Sequence, residues 1–167
     1  MDLGTAIIGA LMLAVFTVPF ALSNRSRKNN EKLIKKLLFN LAEKVNSDIT
    51  EFTQWDNTAI GISTTSKKIF FYKKGEDVEV FHSIDFQSIQ RCKFAKISRT
   101  LKSNNENYEI IDRLELNIST SIKNKQDIIL EFYNSEINAQ MNGELPLIEE
   151  WNKKINSLIV VKKQCLC

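Results

Sequence analysis

The sequence predicts an α+β protein: an N-terminal transmembrane helix, an amphipathic helix, and then an antiparallel β-barrel or sandwich of six to seven strands with a C-terminal capping helix. Three observations carry this reading. Residues Leu3–Leu22 contain no charged side chain. From Asn30 to Phe52 apolar residues recur every three or four positions, the spacing of one helix face. From Thr58 the period changes to two, as in half-buried strands, and after Glu144 it returns to the helical value.

The apolar run comes first. About twenty residues at roughly 1.5 Å rise extend about 30 Å, the hydrocarbon thickness of a bilayer. A cleaved secretory signal is the rival reading, and Ala21-Leu22-Ser23 offers a small-residue cleavage site. Against it, the run is longer than the usual h-region, Asp2 stands where a signal carries positive charge, and the basic cluster follows the run instead of preceding it. An uncleaved single-pass anchor is therefore expected. Flanking Lys and Arg collect on the cytoplasmic side of a membrane helix. All such charge here is C-terminal to the run, which predicts an outward N-terminus and a cytoplasmic domain at the cell (inner) membrane. Ala6, Ala10 and Ala14 share one helix face, as in small-residue contacts between membrane helices, and would allow a weak homo-oligomer. The plainer reading is that alanine is common in such spans.

Charge is unevenly spread. Between residues 23 and 36, six basic residues face only Glu31, a balance of +5, so the rest of the chain carries −2 of the net +3. A near-neutral globular part gives no compositional argument for nucleic acid, whose binders carry concentrated basic surface on the domain itself, and no nucleic-acid partner is expected. Cys92, Cys165 and Cys167 are an odd count without framework spacing, which suits a reducing compartment. Gln164 stands fourth from the end, so the terminus is no prenylation box. The expected division is an anchor (1–23), a basic juxtamembrane and amphipathic helix (24–54), a β-domain with its C-terminal helix (55–161) and a tail (162–167). About 130 residues beyond the anchor are enough to bury a core.

In the amphipathic segment, Asn29-Asn30 offers an N-cap, and Ile34, Leu37, Leu38, Leu41, Val45, Ile49 and Phe52 form the apolar stripe. Asn46-Ser47-Asp48 is a possible early stop. The stripe has three destinations open to it: the following domain, the membrane interface, or a second copy in a short coiled coil. Arg25, Arg27, Lys28, Lys32, Lys35 and Lys36 are the candidate site, contacting the membrane surface and anionic lipid headgroups.

Strands follow in order: AIGIS, KKIFFYKK, a turn at Lys74–Asp77, VEVFHSI, SIQRCKFAKIS, a polar loop at Lys102–Asn107, EIIDRLELNIS and DIILEFY. In SIQRCKFAKIS strict alternation places Ile89, Arg91, Lys93 and Ala95 on one face and Gln90, Cys92, Phe94 and Lys96 on the other. Hairpin spacing argues for an antiparallel sheet. In the closing helix, Pro146 suits the first turn. Ile148, Trp151, Ile155, Leu158 and Ile159 share one face, opposite Glu149, Glu150, Lys153 and Lys154.

This order of elements resembles a pleckstrin-homology-like (PH-like) domain of the bacterial membrane-associated group. Three stretches carry the resemblance over about residues 55–160: IGISTTSKKIFFYKKGEDVEVF as opening strands, HSIDFQSIQRCKF as the entry to a middle strand, and the helix bearing Trp151. The resemblance implies a non-catalytic interaction or scaffolding module with a protein partner that the residues do not name. Domains of this family that grip phosphoinositides use basic residues at the first hairpin. Lys67, Lys68, Lys73 and Lys74 lie there, but without an Arg and with Glu76 and Asp77 close behind, so they read as solvated lysines bounding a strand. The alternative function is a secreted or periplasmic small β-barrel binding an apolar ligand after signal cleavage.

No catalytic, cofactor or metal site emerges. His82 is the lone imidazole, in a strand pattern without a motif, and reads as structural. Three scattered thiols and one His make no zinc set. Glycines at 4, 9, 61, 75 and 143 are too dispersed for a phosphate loop. Glu149-Glu150 with Lys153-Lys154 reads as helix-surface pairing. Trp55 reads as cover for the start of a sheet, or else as an interfacial anchor.

Overall fold

A computed structural model describes residues 28–75, 78–103, 106–121, 127–138 and 140–164. The expected anchor Leu3–Leu22, with Arg25, Arg27, Cys165 and Cys167, lies outside the described residues. Among the described residues no helix is long and apolar enough to cross a membrane.

The first helix, α1, spans 28–43. Residues 28–30 are already helical, so Asn29-Asn30 lies inside the helix and does not cap it. The Asn30 amide donates instead to Asn57 Oδ1 at 2.6 Å. Asn46, at φ 52°, ends the helix in the left-handed conformation that Asn tolerates. The Ser47 amide reaches back to Ala42 O and the Asn46 amide to Glu43 O, which satisfies carbonyls of the last turn. Ile49 and Phe52 therefore leave the helix, contrary to the continuous stripe expected from their spacing.

Phe52 belongs to β1 (Glu51–Trp55), a strand the sequence hid. It pairs antiparallel with β2 (Thr58–Ser63) through a two-residue turn, in which Asp56 takes φ 40°. Then follow β3 (Lys68–Lys74) and β4 (Glu79–Asp85), completing a four-stranded sheet in the order β1-β2-β3-β4. At the β3–β4 turn a Cβ on Gly75 would meet Val78 O at 2.6 Å, so glycine is required there. A short 3-10 turn, Phe86–Ser88, is capped by the Asp85 carboxylate on the Gln87 amide. It leads into β5 (Ile89–Ser103), β6 (Glu106–Thr120) and β7 (Ile128–Asn134), a second antiparallel sheet in the order β5-β6-β7. The chain closes with α2 (Glu144–Gln164).

Two apolar layers hold these parts together. Ile60, Ile62, Ile69 and Phe71 face the second sheet and meet Leu114, Leu116 and Phe132, with Ile148, Trp151, Ile155 and Ile159 of α2 packed into the same core. The opposite face of the first sheet presents Ala59, Phe70 and Tyr72 to Ile34, Leu38 and Ala42 of α1. β2 and the centre of β3 are thus buried on both faces, which is why Ile69–Tyr72 is an unbroken apolar run. Of the three destinations open to the α1 stripe, the domain takes it. Gly61 leaves room for this arrangement: a Cβ there would lie 3.0 Å from Ile49 Cγ2 and 3.3 Å from Glu51 O.

The second sheet departs from simple alternation. A register shift between Ile89 and Arg91 puts both Ile89 and Cys92 in the core, where strict alternation would place them on opposite faces. The expected loop Lys102–Asn107 is also mostly strand, because β5 runs to Ser103 and β6 resumes at Glu106.

Candidate membrane-facing end

One end of the domain collects the start of α1, the β1–β2 turn, the end of β7 and the base of the β5–β6 hairpin. A chain of contacts ties them together. Asn30 bonds Asn57 at 2.6 Å, and the Asn138 amide group bonds Asp56 Oδ2 at 3.3 Å. The Ser135 amide bonds Asp112 O at 2.8 Å, and Arg113 pairs with Asn134 in the ladder. Trp55 stitches the two sheets together beside this end. Its indole N–H donates to Phe132 O at 3.0 Å, and its ring stacks on that of Phe132 at 4.5 Å. Trp55 therefore covers the sheet edge, and its polar atom is used internally.

Hollows open here among the described residues. One of about 670 Å³ is lined by Asn30, Glu31, Asp56, Asn57, Ile137, Asn138, Gln140 and Asn142. Another of about 410 Å³ lies between Trp55, Thr58, Lys73, Val78, Phe132 and Glu136. The larger one is lined mainly by amides and carboxylates. Among the described residues no group of His, Cys, Asp and Glu could hold a metal ion.

Of the candidate lysines, Lys28, Lys32, Lys35 and Lys36 all lie on α1 and are exposed. At 100° per residue they span about 100° of one flank of the helix, starting beside the Ile34–Leu38–Ala42 seam at Lys35 and turning away from it towards Lys36. Lys35 Nζ sits 4.8 Å from the Phe52 ring centroid and 5.6 Å from that of Phe39, so its charge lies over aromatic faces. Lys28 and Lys32 stand nearest the end where the chain enters.

The other lysines are not brought together. Lys67 and Lys68 stand at one end of β3 and Lys73 and Lys74 at the other, about 20 Å apart at the usual rise per strand residue. Lys73 is tied to Glu131 at 2.5 Å with its side chain 13% exposed. The basic first hairpin of a phosphoinositide site is therefore absent as a cluster, and this pattern reads as solvated or paired lysines.

The remaining reactive groups occupy structural positions. Burial pushes the Cys92 thiol up to about 12, so it is a neutral core group at physiological pH. His82 lies on β4 with its ring 6.4 Å from that of Phe71. Lys154 pairs with Glu150 at 3.9 Å, one turn away, and also reaches Glu51, which fastens α2 to the start of β1. At the far end of the sheet, Asp48 accepts hydrogen bonds from the hydroxyls of Ser63 (2.8 Å) and Thr65 (3.2 Å). The Ser63 bond is the main cause holding its carboxyl below the usual 3.8.

Sequence reasoning missed the feature that projects furthest. Beyond the Arg113–Asn134 pair β7 stops, yet β5 and β6 continue as a two-stranded arm. No glycine or proline stands between residues 76 and 142, so nothing in the chain interrupts either strand, and that was the available signal. Compared with known proteins, the chain matches no family model, no curated protein and no solved structure.

Proposed function

We propose that this chain is a single-pass, membrane-tethered PH-like interaction or scaffolding domain. It faces the cytoplasm and acts by binding, without catalysis. The carrying observation is the placement of α1. Its apolar stripe is consumed by the four-stranded sheet, while its lysine flank stays exposed at the end where the chain enters from residues 3–22. A helix that docks this way holds Lys28 and Lys32 on the domain at the point where the chain enters, so these two come closest to the headgroups. Basic residues within a Debye length of an anionic surface each contribute about 1 kcal/mol of attraction. The PH-like reading is supported by the four-plus-three antiparallel sheets and by a terminal helix whose Trp151 enters their shared core. Tethering raises the local concentration of the domain, so a weak contact at the bilayer suffices for function.

The alternative of a ligand-binding barrel needs an apolar hollow between the sheets. That space is filled by Ile60, Phe71, Leu116 and Trp151, which favours the tethered module. The test is fractionation of the full chain and of Ile8→Arg. An arginine at mid-span costs roughly 2.5–3.5 kcal/mol of insertion, so the variant should leave the membrane fraction. A soluble unmodified chain, or a mature N-terminus near Asn24, would contradict the proposal.

A further inference from the structure

The β5–β6 arm carries an uncovered apolar face. Leu101 pairs with Tyr108 and Arg99 with Ile110, and paired residues share a face; a register shift follows Ile97, with Asp112 the unpaired residue on β6, so Ile97 joins this face by the alternation of β5 itself. Ile97, Leu101 and Tyr108 are 40%, 47% and 51% exposed. The opposite face is mainly polar: Glu109 takes Lys96 at 2.8 Å and Ser98 at 2.7 Å, while Ile111, paired with Ser98, packs against the core at the arm's base. Arg99, between Ile97 and Leu101 on this face, is 63% exposed and pairs with Asp112 at 3.3 Å. A two-stranded ribbon is marginal in water by itself, and uncovered apolar side chains in a row mark a contact surface.

Where the arm points says what covers it. It leaves the domain at the end tied to the start of α1 through Asn57, Asp56, Asn138 and the Ser135–Asp112 bond. About six residues of each strand extend past Arg113, a reach of up to about 20 Å. From Leu22 to Lys28 the chain can span at most about 20 Å, even fully extended. An arm of that reach is long enough to meet a bilayer held by a tether of at most that span.

We propose that the Ile97–Leu101–Tyr108 face of the arm lies in the interfacial layer of the bilayer, as a second contact beside the tether. This rests on the membrane-tethered reading above. Tyrosine suits that layer, with its ring among acyl carbons and its hydroxyl at headgroup depth. The driving force is apolar burial; Glu109 and Asp112 are paired with Lys96 and Arg99, and Glu106 at the tip accepts a hydrogen bond from the Tyr108 hydroxyl, which keeps both groups at headgroup depth. A second contact stops the domain from swinging about its entry point, and so fixes which surface meets the cytoplasm.

The test uses the full chain in phosphatidylcholine–phosphatidylglycerol vesicles containing brominated lipid. Leu101→Trp and Lys93→Trp, both at exposed positions of β5, are compared after subtracting emission from the native tryptophans. The Leu101→Trp emission should shift to the blue and lose most of its intensity to the brominated lipid, whereas that of Lys93→Trp should do neither. If the chain sediments with the vesicles but Leu101→Trp is not quenched, the arm does not touch lipid and the tether reading survives. If the chain stays in the supernatant, both readings fall. A blue shift without quenching, dependent on protein-to-lipid ratio, would assign the face to a second copy and overturn the proposal.

Discussion

β3 and the β5–β6 arm both carry apolar residues in consecutive or paired positions, but they dispose of them in opposite ways. Ile69–Tyr72 is buried on both faces, by the core on one side and by α1 on the other. Ile97, Leu101 and Tyr108 have no such cover, because β7 ends at Asn134 and they stay 40%, 47% and 51% exposed. The number of layers packed on a strand decides whether its apolar residues contribute stability or remain available for contact. Four expected outcomes follow from that contrast.

The largest concerns the shared core. Trp151 is fully buried between α2 and both sheets, so Trp151→Ala should destabilise the domain by about 3–5 kcal/mol in denaturant unfolding. An unchanged midpoint would mean that this face of α2 serves a partner. Next is the outer layer, where Leu38→Ala should cost about 3 kcal/mol if α1 is part of the fold. A loss below about 0.5 kcal/mol would make α1 a loosely attached element, and its lysine flank would no longer be held by the domain.

A smaller effect is expected at Asp48, whose carboxyl is held low mainly by the Ser63 hydroxyl. A depressed carboxylate stabilises the fold above its unfolded value and loses that contribution as pH falls through the folded one. The wild-type melting temperature should therefore exceed that of Asp48→Asn near neutrality. The gap should close once the pH falls below 3.8. A gap independent of pH would show that charge plays no part. Smallest of all, Leu101→Ser should change stability by no more than about 0.5 kcal/mol, since the side chain is exposed. A cost comparable to that of Leu38→Ala would place the arm's apolar face inside the fold.

Much of this architecture was legible from local pattern. The α2 face was readable because Ile148, Trp151 and Ile155 keep helical spacing and point into one core. The end of α1 was foreshadowed by Asn46, which tolerates positive φ. β1 was not legible: Ile49 and Phe52 fall at helical spacing, and only the distant partner β2 makes Glu51–Trp55 a strand. The faces of β5 were misread because a register shift has no sequence mark at Gln90. At the candidate site, the exposed flank of Lys28, Lys32, Lys35 and Lys36 was readable from charge and period. The joining of α1, the β1–β2 turn and the arm at one end was not, since it rests on contacts such as Asn138–Asp56, between residues far apart in the chain.

The central claim is that the domain is held at the cytoplasmic face of a membrane. Cys92 is buried with a raised thiol pKa, which leaves Cys165 as the reporter once Cys167 is changed to Ser. An impermeant thiol reagent applied to intact cells should leave Cys165 unlabelled and should label it once the membrane is permeabilised. Efficient labelling of Cys165 in intact cells would place the domain outside and contradict the account.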